Sequence, residues 1–264
     1  IISFLTKKKP SSDILVKTKT SLFSKLLIWL RSNLFIPDSR CLWIGPSISY
    51  LNNYLRRNPV DLIISTGPPH STHLIALDIK KKHNVKWIAD FRDPWTAIEY
   101  FDKLPLLRFQ KSKHKKLEKE VLLTADLVLS VSMSWAKDLQ KLGAVKTSVI
   151  MNGFDLEDYN YNLKNDRLKK FTIGHFGVYN TLRDHSFFWD IIENISKTKL
   201  DFDNSLNFLF AGEVHDTFFA NIKSYNLEHK LDYFTYLTHS ESIKKMQSCN
   251  LLLITQGNTQ AVQG

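Results

Sequence analysis

Residues 61–90 read "DLIISTGPPHSTHLIALDIKKKHNVKWIAD". Two short apolar runs, DLIIST at 61–66 and VKWIAD at 85–90, bracket a turn and a stretch of helical period. Runs this short, rich in β-branched and aromatic residues, suit buried strands. The turn opens with Gly67, Pro68 and Pro69, after which the chain can enter a helix. A strand–helix–strand unit of this kind sets its strands parallel and lays the crossover helix on the sheet.

The rhythm continues outward from there. "KSKHKKLEKEVLLTA" at 111–125 predicts a charged amphipathic helix, and DLVLSVS at 126–132 a third strand. SWAKDLQKLGA predicts a helix ending near Gly143, where glycine supplies a C-cap. TSVIMNG at 147–153 predicts a fourth strand. Apolar strands alternating with helices predict a parallel sheet covered on both faces. "DLEDYNYNLKNDRLKK" at 155–170 then breaks the pattern and reads as a linker between domains.

Beyond the linker the alternation restarts. Strands are predicted at FTIGHFG (171–177), LNFLFAGEV (206–214), LDYFTYLTHS (231–240) and NLLLIT (250–255). Helices fall at HSFFWDIIENISKTK, HDTFFANIKSYN and ESIKKMQSC. The fold class is therefore α/β, with two doubly wound, Rossmann-like parallel-sheet domains, 1–155 and 156–264, the second incomplete. Two such domains are expected to turn the carboxyl ends of their sheets onto one cleft, where open α/β sheets bind ligands. The chain begins at Ile1 and stops in TQGNTQAVQG, so the reading is of a fragment lacking both ends of a larger protein.

The 264 residues are 43% hydrophobic and 12% aromatic, enough for two cores. The formal charge is +10, and residues 1–60 hold ten Lys and Arg against two Asp, hence +8. Positive charge attracts nucleotides, nucleic acid or an anionic membrane. Its confinement to one end argues against nucleic acid. "SLFSKLLIWLRSNLF" from Ser21 predicts an apolar helix with Lys25 and Arg31 on its polar side. Two readings stay open: a helix docked on the core, or one lying on an anionic membrane. No apolar run reaches the roughly 18 residues of a spanning helix. The two cysteines, Cys41 and Cys249, are far apart and give neither a disulfide framework nor a zinc site. A cytoplasmic setting, with peripheral contact at the inner face of the plasma membrane left open, is the simplest expectation.

The strand ends carry the candidate chemistry. At the first, Gly67 permits a tight turn, while His70, Ser71 and Thr72 sit at a helix start that favours anions or simply caps itself. At the second, "ADFRDPWT" packs Asp90, Arg92, Asp93, Pro94 and Trp95 together. Asp93–Pro94 suits an N-cap with proline at the first helical position. Asp90 is expected to pair with Arg92 or to receive a proton, and Trp95 is left over for a ligand. In the second domain, Gly177 lets a backbone approach a phosphate, and Arg183 precedes a helix. His175 reads equally as a strand residue. Gly212 and Glu213 mark another strand end. Thr238, His239, Ser240 and Glu241 precede a helix, with Ser240 as the expected cap. No GxGxxG or GxxxxGK[ST] occurs, which disfavours a dehydrogenase or P-loop protein. No His, Asp or Glu trio has metal spacing, so no metal is expected.

"DLIISTGPPHSTHL", "WIADFRDPWT", "LEKEVLLTADLVLSVS", "VIMNGFD" and "FTIGHFGVYNTLRD" together resemble, in kind and order, family 4 glycosyltransferases of the GT-B fold. The DFRDPW version looks like bacterial enzymes that build cell-surface polysaccharides. The resemblance spans roughly residues 35–264. It implies an acceptor-side first domain and a second domain that binds a nucleotide-sugar such as a UDP- or GDP-sugar, with no further cofactor. Asn152, Gly153 and Asp155 correspond to a domain-junction motif. Gly177 corresponds to the glycine beside the donor diphosphate, and Arg183 to a basic position that contacts it. Glu213 and His239 join the donor side. Gly67, His70, Asp90 and Trp95 fall on the acceptor side, with Arg92 and Asp93 at the catalytic position, where many relatives carry His-Asp. Retention of anomeric configuration and transfer to a glycan or lipid-linked acceptor are implied. Relatives carry, after the strand matching NLLLIT, a glycine-rich loop and a helix with two glutamates, and the sequence stops before that region. The chain is therefore expected to be inactive alone. The competing readings are a sugar-nucleotide epimerase of the same architecture and a non-catalytic, membrane-associated scaffold.

Overall fold

A computed structural model describes residues 22–98, 101–159 and 170–257. The chain divides into two compact units, one on Thr20–Gly153 and one on Phe154–Asn258. Most of the predicted linker, residues 160–169, lies outside the described residues, as do the lysines up to Lys19.

In the first unit, helices α1 (Leu22–Leu34) and α2 (Ile44–Arg57) precede β1 (Leu62–Gly67), α3 (Ser71–Lys82) and β2 (Lys86–Phe91). There follow α4 (Arg108–Thr124), β3 (Leu127–Ser130), α5 (Met133–Leu142) and β4 (Thr147–Val149). The sheet is parallel in the order β1-β2-β3-β4, with Gly67 beside Phe91 and Phe91 beside Ser130 at the carboxyl edge. Right-handed crossovers in unbroken chain order leave every crossover helix on the same face. That face is the core: Trp87, Ala89, Phe91 and Val128 meet Leu77 of α3, Val121 and Leu122 of α4, and Leu139 of α5. Alternate residues point the other way, and there Ile64 is 65% exposed and Leu62 is exposed too. The expectation of a sheet covered on both faces is thus not met by the described residues of this unit.

The second unit holds β5 (Phe171–Phe176), α6 (Ser186–Thr198), α7 (Leu200–Ser205), β6 (Leu206–Ala211), α8 (Asp216–Ser224), β7 (Leu231–Phe234), α9 (His239–Ser248) and β8 (Leu251–Leu252). Its order is β7-β6-β5-β8, all parallel. The chain builds outward to β7 and then returns past β5 through α9. That reversal sends α9 to the opposite face, and every residue of the central β6 is buried. Trp189, Phe208, Phe210 and Phe218 fill the α6–α8 side.

Several predicted strands are shorter than expected, β4 and β7 where the neighbouring strand ends. β4 stops near the level where β3 ends at Ser130, and β7 where β6 ends at Ala211. β8 pairs only with Ile173 and Gly174. Helix α2 was not expected. Its Pro46 falls in the first turn, where a missing backbone donor costs nothing. Gly143 ends α5 at φ 126°, as predicted. The cap of α9 is Thr238, not Ser240: Thr238 Oγ1 accepts from the Glu241 N–H while the Glu241 carboxylate accepts from the Thr238 N–H.

Helix α1 resolves the docking question at one end. Asn33 is buried, donates to the Pro105 carbonyl at 2.8 Å and accepts from the Leu107 N–H at 2.9 Å. At its other end Leu22 and Phe23 are 84% and 66% exposed.

Candidate functional site

Arg92 leaves β2 with its N–H donating to the Gly67 carbonyl at 3.0 Å and its guanidinium donating to the Pro68 carbonyl. The Gly67–Pro69 turn and Arg92 therefore hold each other. The expected Asp90–Arg92 pair does not form, because Asp90 lies beside Thr66 across the ladder and accepts its hydroxyl at 2.7 Å. A guanidinium has five N–H donors, and the exposed head of Arg92 keeps a fork that suits an anionic or hydroxyl-rich ligand. Asp93, half-buried, is beside it.

The helix expected at Asp93–Pro94 does not form; a single 3-10 turn follows at Phe101–Lys103, and α-helix resumes at Arg108. The segment is instead pinned to α4. Trp95 Nε1–H donates to His114 Nδ1 at 3.1 Å, and Thr96 donates its N–H and its hydroxyl to the Glu118 carboxylate. Trp95 is 3% exposed and stacks on His70 at 4.8 Å and 2°. It is therefore a core ring under the loop and not a surface for an acceptor. His70 belongs to the same buried stack, with His73 on Phe91 at 4.6 Å. Ser65 Oγ stands 2.8 Å from His73 Nδ1 and accepts from Trp87 Nε1–H. A Cβ on Gly67 would stand 2.5 Å from His73 Nε2 and 2.9 Å from His70 Nδ1, so close approach of these rings demands glycine there. The anion-favouring N–H of Ser71 already donates to Asp38 Oδ2 at 2.8 Å.

Burial lowers the pKa of His70 to about 4 and lowers those of His73 and His114 too. These rings are neutral at pH 7, which leaves Arg92 as the cationic head of this edge. Burial raises the pKa of Glu118. His73, His114 and Glu118 were missed by sequence reasoning. His73 follows His70 by one helical turn, and that spacing was the available signal.

In the second unit, Gly177 is exposed with φ 133°, and Gly212 has φ 124°. The two pass each other so closely that a Cβ on Gly212 would run into the Gly177 carbonyl. The Gly177 N–H donates to the Ala211 carbonyl at 2.8 Å. What Gly177 offers a phosphate is thus an absent side chain and not a free donor. The loop is stitched to the one after β6: the Tyr179 N–H donates to the Glu213 carbonyl and the His215 N–H to the Tyr179 carbonyl, both at 2.9 Å. Glu213 is therefore brought beside this loop. Arg183, half-buried, donates to the Val178 carbonyl at 3.2 Å. His239 is exposed and stands 2.8 Å from Asp158 Oδ2, at the start of α9. His175 turns inward: Nδ1 contacts the Leu253 carbonyl at 3.0 Å, and burial lowers its pKa.

Among the described residues no cluster of three or more His, Cys, Asp or Glu could hold a metal ion. None of their helices is long and apolar enough to cross a membrane.

The sequence model of Glycosyltransferase Family 4 matches residues 12–158, more than half the chain. No curated protein matches the sequence. Among solved structures, sucrose-phosphate synthase from Thermosynechococcus elongatus superposes with a TM-score of 0.58 at 14% identity, over 83% of this chain and 56% of that one. HepE of Anabaena, solved in complex with UDP and glucose, gives 0.56 at 14% identity over 83% and 58%. The lipopolysaccharide outer core galactosyltransferase WaaB gives 0.51 at 14% over 84% and 57%. The chain thus spans a little over half the length of each, and likeness at such identities establishes the shared α/β fold alone.

Proposed function

The chain belongs to Glycosyltransferase Family 4, and on that premise we propose that it takes part in moving a sugar from a nucleotide-sugar to a glycan or lipid-linked acceptor. The observation that carries the reading is the loop from Gly177 to Arg183. It joins an exposed glycine at positive φ to a half-buried guanidinium on one parallel-sheet edge. A carboxyl edge of this kind is where α/β folds receive nucleotides.

The chemistry follows from charge. Cleaving the bond between the anomeric carbon and the diphosphate oxygen builds positive charge on the sugar and negative charge on the leaving phosphate. Arg183 would take up that negative charge in a charge-assisted, two-pronged contact, without a metal. The acceptor hydroxyl would enter on the same face, keeping the anomeric configuration. In the first unit, Arg92 and Asp93 would hold the acceptor, with Arg92 braced by Pro68 for the purpose.

The test is nucleoside diphosphate release by the full-length protein from a panel of UDP- and GDP-sugars with and without a lipid-linked sugar acceptor. Acceptor-dependent release, undiminished by EDTA, supports the reading; absence of release from every donor counts against it.

A peripheral membrane contact is favoured by a separate observation. Leu22, Phe23, Leu26 and Trp29 are exposed along α1, with Lys25 among them and Arg31 a turn further on. Apolar and aromatic side chains beside cations suit an anionic bilayer surface. Phe23→Ser should then lower sedimentation with phosphatidylglycerol vesicles. Equal sedimentation of the two proteins would refute the contact.

A further inference from the structure

The loop that carries Arg183 is held by its neighbour in sequence. The Asp184 carboxylate accepts three hydrogen bonds from three places. Tyr179 O–H donates to Oδ1 at 3.2 Å and Trp189 Nε1–H to the same oxygen at 2.9 Å. Asn221 Nδ2–H donates to Oδ2 at 2.7 Å. Tyr179 lies early in the same loop, Trp189 on α6 and Asn221 on α8. Tyr179 and Trp189 are almost wholly buried, so two of the three donors are fixed in the core.

We propose that Asp184 is a positioning residue for the donor diphosphate: it clamps both arms of the loop to the core and so aims Arg183. The inference rests on the reading of Arg183 given above and goes one step behind it. Between the two arms the backbone turns tightly, with the Arg183 N–H donating to the Asn180 carbonyl at 3.0 Å. The Arg183 side chain returns to Val178. Both of these Arg183 contacts lie within the loop that Asp184 closes. Burial, together with the Asp184 charge, also raises the Tyr179 pKa, which keeps the phenol a donor throughout the working pH range.

Asparagine at 184 would present an N–H₂ where donors converge, so at least one of the three bonds must break. A small displacement of a charged contact is enough to cost an order of magnitude in binding. The experiment is calorimetric titration of the chain with UDP and GDP. Asp184→Asn should bind the preferred nucleotide about tenfold more weakly. In the Arg183→Ala background the same change should have no further effect, because there is no guanidinium left to aim. If Asp184→Asn fails to fold, Tyr179→Phe, which deletes one donor, should weaken binding about threefold under the same rule of non-additivity. Wild-type affinity in the single variant, or full additivity in the double variant, overturns the proposal while leaving the Arg183 contact standing. Equal affinity of wild type and Arg183→Ala, or no binding of either nucleotide, overturns the contact and the proposal with it.

Discussion

The two units use the same strand–helix alternation and reach different sheets. In the first, β1 to β4 stand in chain order, so their right-handed crossovers stack every helix on one face. In the second, the chain returns from β7 past β5 to β8, and the order reverses beside the central strand. Among the described residues, only the second places helices on both faces. Ile64 and Leu209 make the contrast concrete. Each points away from its unit's aromatic core, yet Ile64 is 65% exposed and Leu209 3%. The reversal also puts the Gly177–Arg183 loop beside the switch in strand order, the place where open α/β sheets take ligands.

The contrast predicts unequal sensitivity. Leu209→Ala should destabilise the second unit by about 2–5 kcal/mol, as deletion of a buried leucine does. Amide exchange under denaturant, read unit by unit, measures it. A change below about 0.5 kcal/mol would mean that the second face is not packed.

Acid should act the other way round. His70, His73 and His114 are all held neutral by burial in the first unit, against His175 in the second. A histidine whose folded pKa is depressed contributes fully above its unfolded value near 6.5 and loses that contribution as the unfolded state takes up protons. For His70, with a folded value of about 4, the loss between pH 6.5 and pH 4 amounts to at most about 3 kcal/mol. The first unit should therefore open before the second as pH falls through this window. Glu118, whose pKa is raised, works in the opposite sense: the folded state takes up its proton before the unfolded state does as pH falls, which offsets part of the histidine loss in the first unit. Earlier opening of the second unit would contradict the assignment.

The smallest effect is expected at Ile64. Ile64→Ala should change stability by no more than about 0.5 kcal/mol. It should also reduce binding of a hydrophobic dye to the open sheet face. A loss of several kcal/mol would show the face to be covered in solution.

Much of this was legible in the sequence because short apolar runs with β-branched or aromatic residues suit buried strands. LIIST, KWIAD and LNFLF announced parallel strands, and the order of the alternation announced α/β. Coverage of the sheet was not legible. It depends on strand order, which periodicity does not encode. The site was half legible. Gly177 and Arg183 stood out by residue type and by position after a strand. The Asp90–Arg92 pair and the ligand-facing Trp95 were misreadings, because proximity in sequence stood in for contact. Across the ladder Thr66 claims Asp90, and across the core His70 and His114 claim Trp95. Proline after Asp93 suggested a helix start, yet burial of Trp95 and the Thr96–Glu118 contact hold that segment as a loop. Asp184 was invisible, since its three donors come together only when α6 and α8 pack.

The division of labour between the units is tested most directly by titrating UDP and GDP into the wild-type chain, Arg183→Ala and Arg92→Ala. Loss of a charge-assisted contact of about 1.5–3 kcal/mol should weaken binding by about ten- to a hundredfold in Arg183→Ala. Arg92→Ala should bind as the wild type does. Unchanged affinity in Arg183→Ala, or the larger loss in Arg92→Ala, would contradict a nucleotide site on the second unit.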